Sequence, residues 1–124
     1  MRTRSLVIAA AWCAMGSAAA QAECIKPDPV VVIPDGRTAT QDELIEAQAA
    51  FKTYDGKVKA FVDCLNAQER AVLVDRAGDL DKDEAQEIHE RYAGQVNEIV
   101  AYEEGLAEQF NAQIKAFKAR ASAK

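Results

Sequence analysis

Along most of the chain, apolar side chains recur at alternating steps of three and four. The first stripe reads Leu44, Ala47, Phe51, Tyr54, Val58, Phe61, Leu65 and Val72, with Gln68 as its polar break. The second reads Ala85, Ile88, Tyr92, Val96, Ile99, Leu106, Phe110 and Phe117, interrupted by Glu103 and Gln113, which favour some exposure there. Such spacing brings every member onto one side of a helix, and its length gives it a coiled-coil character. Two helices are predicted, over about 41–77 and 80–120. Gly78 sits between them, available for a left-handed cap just after Arg76 and Ala77. Helices joined by so short a link turn back on each other as an antiparallel hairpin.

The polar residues agree with these bounds. Thr40 and Glu43 have the spacing of a capping box, and Asp42, Glu43 and Glu46 suit the positive start of a helix. Asp79, Asp81, Asp83 and Glu84 open the second helix, and Lys115, Lys118 and Arg120 cluster towards its negative end. A hairpin sets that basic end beside the acidic start of the first helix. Gly56 weakens the first helix by about 1 kcal/mol relative to alanine. Residues 121–124 are expected to fray.

Residues 23–39 cannot continue this pattern, because Pro27, Pro29 and Pro34 forbid a helix. They form an arm, with an extended apolar run from Val30 to Ile33. Pro34-Asp35-Gly36 is a turn signal, the glycine tolerating positive φ. Two helices alone leave each stripe half covered, and the arm offers a cover. The first helix rises about 36 Å between Thr40 and Cys64. The arm from Cys24 to Thr40 reaches up to about 50 Å when extended. It can therefore run back along the hairpin, laying Val30 to Ile33 near Phe51, Tyr54 and Ile99 and bringing Cys24 to Cys64.

The first 22 residues have another character. Arg2 and Arg4 precede an uncharged apolar run from Leu6 to Ala20, and Ala20-Gln21-Ala22 places small residues for signal-peptidase cleavage. This is the pattern of a secretory leader. Glu23 before Cys24 argues against lipidation of that cysteine, and the apolar run falls short of the roughly 20 residues of a membrane span. Cys13 would leave with the leader, so Cys24 and Cys64 remain in an oxidising compartment. They most simply form one disulfide, closing a loop worth about 4 kcal/mol in the chain-entropy model. The alternatives are a free Cys24 with a buried Cys64, or a bridge between two chains. No C-x-x-C spacing points to redox chemistry.

Charge and composition narrow the function classes. From residue 23 onward 13 basic residues face 20 acidic ones, a net charge of −7. That balance disfavours nucleic acid and anionic lipid as partners. The aromatics are Phe51, Tyr54, Phe61, Tyr92, Tyr102, Phe110 and Phe117, and Trp12 lies in the leader. A core of alanines and scattered larger residues suits close-packed helices better than a deep ligand pocket.

Candidate chemistry is sparse. Asp79, Asp81 and Asp83, with Glu90 further on, echo a calcium loop, but Glu84 stands where such a loop needs glycine. An acidic helix start accounts for the same residues. His89 is the only histidine, which leaves zinc without a ligand set. There is no G-x-S-x-G nucleophile motif, Ser122 is the only serine after the leader, and no glycine-rich phosphate loop occurs. No catalytic residue, resident metal or cofactor is therefore expected. The stripes are first of all packing surface between the helices. Whatever part of Phe51, Tyr54, Phe61, Tyr92, Ile99, Leu106 and Phe110 is left uncovered is the candidate interaction surface.

Cys24, Ile33-Pro34-Asp35-Gly36, Thr40-x-x-Glu43, Cys64-Leu65 and Phe110-Asn111-x-x-Ile114 occur in an order that resembles a group of small exported, uncharacterised proteins of Gram-negative bacteria. The resemblance implies export to the periplasm, a Cys24–Cys64 disulfide and helices, and carries no catalytic residue across. The expected fold is all-α: a long antiparallel two-helix hairpin with an extended N-terminal arm tied back by a disulfide. The expected function is a non-enzymatic structural or protein-interaction role in the envelope, with a second copy or another envelope protein as partner. The competing expectation is a small-ligand or divalent-metal module built on the acidic turn 79–90.

Overall fold

A computed structural model describes residues 23–123. It is all-α: helix α1 spans Gln41–Asp75 and helix α2 spans Lys82–Ser122, packed against each other as an antiparallel hairpin. The leader expected over residues 1–22 lies outside the described residues.

Both helices start where a side chain can satisfy free backbone donors. Thr40 Oγ1 accepts from the Glu43 amide, and the Glu43 carboxylate accepts from the Thr40 amide. Asp81 and Glu84 make the same reciprocal box for α2. This cap places the start of α2 at Lys82, two residues after the expected one.

The end of α1 differs from expectation in mechanism. Asp75 is its last residue, and the Arg76 amide still donates to Val72. The link then closes through the Asp79 and Leu80 amides, both donating to the Arg76 carbonyl. No described glycine has positive φ, so Gly78 makes no left-handed cap. Consecutive backbone bonds tighten the turn instead. At the other end α2 continues through Ser122, past the point where fraying was expected.

The core lies along the seam and beneath the arm. Its larger part joins Tyr54, Val58, Phe61 and Leu65 of α1 to Ile99 and Leu106 of α2, with Cys24, Val31 and Ile33 of the arm packed on it. A second part, at the open end of the hairpin, joins Ala39, Leu44, Ala47 and Phe110. Ile33 touches both parts. The arm is thus a third layer over the groove between the helices, and it bears no helix or strand of its own.

The Cys24–Cys64 disulfide ties the arm to the middle of α1, with Cα atoms 5.7 Å apart. A bond of this kind belongs to an oxidising compartment. No described helix is long and apolar enough to cross a membrane.

Candidate functional site

Among the described residues the arm shows apolar side chains to solvent in a row, at Ile25, Val30 and Val32, so its construction matters. Starting from the disulfide, Lys26 pairs with Glu98 of α2 and Pro27 is buried. Beyond Pro29 the side chains alternate, as they must in extended chain. Val31 and Ile33 face the core, while Val30 and Val32 are 78% and 80% exposed. The expectation that the whole run Val30 to Ile33 would lie over the groove is therefore half met, because period-two geometry can bury only every second residue.

The turn after the arm is clamped to α2. Asp35 organises it: its carbonyl accepts from the Thr38 and Ala39 amides, and its carboxylate accepts from the Arg37 amide and guanidinium. The Arg37 guanidinium holds the Asp35 carboxyl below its usual range. The Gly36 amide donates to Gln113 Oε1 at 2.9 Å. Arg120 donates to the carbonyl oxygens of Arg37, at 2.9 Å, and of Ala39, while its guanidinium lies 5.1 Å above the Phe117 ring.

Gly36 is buried against α2 so tightly that a Cβ there would stand 1.9 Å from the Gln113 carbonyl oxygen. Close backbone approach, not positive φ, is what requires glycine at this turn. The polar break at Gln113, which suggested an exposed stretch of the stripe, is a binding partner for the turn. Its only sequence signal is that one amide interrupts an otherwise apolar face. Arg120 gave a weaker signal still, since a cation near a helix end needs no further explanation.

Grooves border the arm on both sides. On the α1 side a trough of about 320 Å³ runs between Val30, Val32 and Pro34 and the helix face bearing Glu43, Glu46, Ala47 and Ala50. On the α2 side a groove of about 540 Å³ lies between Pro27 and Pro29 and the residues Tyr54, Ile99 and Tyr102. The Tyr54 and Tyr102 rings meet edge to face, with centroids 6.3 Å apart. The Tyr54 hydroxyl is buried and finds no hydrogen-bond partner among the described residues. Burial raises its pKa, with smaller contributions from Tyr102 and Glu103.

The residues named from the sequence as an interaction stripe are mostly core. Tyr54, Phe61, Ile99, Leu106 and Phe110 are buried, and Phe51 and Tyr92 are half-buried against them. The arm and the opposite helix cover most of this stripe, leaving Phe51 and Tyr92 partly open and Tyr54 and Ile99 at the wall of a groove.

Glu103, the other polar break in the second stripe, faces Asp55 across the seam. Partial burial raises the Glu103 pKa first, and the neighbouring Asp55 adds to it. Lys59 holds Asp55 below its usual range, helped by a hydrogen bond from Glu103. Of the two carboxyl groups, Glu103 is therefore the one that takes up a proton first as pH falls.

The acidic turn is occupied by structural work. Asp81 and Glu84 cap α2, Glu84 also meets Arg76 at 3.5 Å, and His89 Nδ1 lies 2.7 Å from Glu69 across the hairpin. Among the described residues no group of three or more His, Cys, Asp or Glu side chains is placed to hold a metal ion. No protein-family model, curated protein or solved structure matches the chain.

Proposed function

We propose that this chain is a non-enzymatic protein-interaction module of the bacterial envelope, exported by its leader and acting in the periplasm through its arm. The observation that carries the reading is the exposure of Val30 and Val32 on an extended segment held at both ends. The disulfide holds one end, and the Gly36–Gln113 and Arg120 contacts hold the other. A segment ordered in advance loses little further entropy on docking, which is how affinity is gained without a large surface. The chemistry-bearing residues support a non-catalytic class: His89 is engaged with Glu69, and the carboxylates of the acidic turn cap a helix.

A photo-crosslinking residue placed at 30 or 32 in the intact cell tests this reading. Val74 is 74% exposed at the far end of the hairpin and serves as the control position. Discrete protein adducts from 30 and 32, absent from 74, are expected. No adduct, or the same adducts from all three positions, refutes it. Intact mass of the periplasmic protein tests export separately: a chain beginning at Glu23 and lighter by two hydrogens before reduction is expected.

A further inference from the structure

The arm presents backbone as well as side chains. In extended chain the peptide groups point sideways to the side chains, so those of Val31, Val32 and Ile33 run along the hairpin surface. They make no hydrogen bond with any described residue; the Val30 amide, by contrast, donates to the Asp28 carbonyl at 2.9 Å. An unpaired extended edge with exposed apolar side chains is a template for another strand. Here the edge is short, because Pro29 and Pro34 close it at both ends.

A trough of about 320 Å³ lies beside this edge. Its floor is Ala47 and Ala50, which bring no long side chain into it, and its rim carries Glu43 and Glu46. The Thr40 amide keeps Glu43 ionised by donating to its carboxylate. The two cations of the arm are engaged elsewhere: Lys26 with Glu98 and Arg37 with Asp35. Lys57 lines an adjoining groove that shares Val30 and Ala50 with the trough.

We infer that the trough takes an extended segment of another protein, alternating aliphatic residues with Lys or Arg, by strand addition to the edge at Val31–Ile33. The aliphatic side chains would cover Val30 and Val32, and the cations would meet Glu43 and Glu46. A second copy of this chain fits less well. It would bring the same carboxylates to the same rim, on top of a net charge of −5 on the whole chain. This proposal rests on the interaction reading above and names the partner's chemistry.

The test uses the oxidised protein and two eight-residue peptides, one alternating lysine with valine and one alternating glutamate with valine. Amide shifts in NMR spectra report both the site and the affinity. The lysine peptide is expected to shift residues 30–33 and 46–50 and to bind at least tenfold tighter than the glutamate peptide. N-methylation of alternate lysine-peptide residues, on the side facing the arm, is expected to cost at least tenfold. Glu46 is exposed and outside the cap, so Glu46→Lys leaves the fold intact and, by setting one positive against the one remaining negative charge, is expected to abolish the preference. Equal binding of the two peptides, shifts confined to other residues, or no effect of Glu46→Lys overturns the proposal. Concentration-dependent dimerisation through residues 30–33 overturns it in favour of a second copy. Peptide failure alongside position-specific crosslinks from 30 and 32 would refute the partner's chemistry alone; failure of both would refute the interaction reading.

Discussion

Replacing Gly36 by alanine is a small chemical change with a large expected effect. The added Cβ would lie 1.9 Å from the Gln113 carbonyl oxygen, 2.8 Å from its carbon and 3.0 Å from the Phe117 nitrogen. All three are backbone atoms of α2, so no side chain can swing aside. An ordinary contact needs about 3.4 Å, which requires the turn and the helix to separate by about 1.5 Å. That movement breaks the 2.9 Å bond from the Gly36 amide to Gln113 and strains the Arg120 bonds to Arg37 and Ala39. The turn cannot lift away freely, because Cys24 anchors the arm and Thr40 opens α1. One lost hydrogen bond of about 1 kcal/mol and an overpacking cost of about 1–3 kcal/mol give about 2–4 kcal/mol. For a domain of this size that lowers Tm by roughly 10–25 °C. Gly56→Ala is the matched control. Nothing lies within 4 Å of its Cβ position and it sits inside α1, so it should stabilise by about 0.5–1 kcal/mol. Thermal melts followed by circular dichroism, with urea titrations, measure both. If Gly36→Ala melts within 3 °C of the parent, the close approach to α2 is not what selects glycine, and the clamp is not as described.

Three further substitutions test other parts of the structure. Tyr54→Phe removes a buried hydroxyl without a partner while keeping the ring, and should stabilise by about 1–2 kcal/mol in a urea titration; a loss would mean that the hydroxyl is hydrogen-bonded in solution. The Cys24→Ser, Cys64→Ser pair should lose about 4 kcal/mol, with hydrogen exchange rising first at Val31 and Ile33; unchanged exchange there would show that packing alone holds the arm. Glu103→Gln should raise Tm at neutral pH and lose that advantage at pH about 3. The sign follows from the raised Glu103 pKa: its contribution is full when protonated and is lost as pH rises through the folded value. Asp55 has the opposite sign, its contribution being lost as pH falls through its lowered value. A Glu103→Gln effect that does not vary with pH would refute the raised Glu103 pKa.

The elements that local physics specifies were legible from the chain. The stripes, the Thr40–Glu43 box and the acidic start of α2 depend on residues three or four apart, and they place both helices to within about two residues. The reach of the arm and the number of cysteines made the Cys24–Cys64 bond the simplest pairing, and it is formed. Gly36 was legible as a turn residue but not for the right reason. A turn signal is local, whereas the contact that requires glycine joins Gly36 to Gln113, 77 positions away.

The candidate site was the less legible part, for the same reason. Gln113 and Glu103 both break an apolar face, and sequence alone reads both as exposure. The register of the hairpin set one against the Gly36 amide and the other against Asp55. The stripe Phe51 to Phe110 held the right residues for a core, and only the laid-back arm and the opposite helix decided that little of it stays open. The arm's apolar run could bury one of its two faces, and its own alternation does not say which. By itself the sequence determined the helices, the Thr40–Glu43 cap, the hairpin and the staple, because these follow from short-range spacing and chain reach. The tertiary structure decided that Val31 and Ile33 go in while Val30 and Val32 stay out, because that choice depends on where the disulfide and the Gly36 clamp hold the ends of the arm.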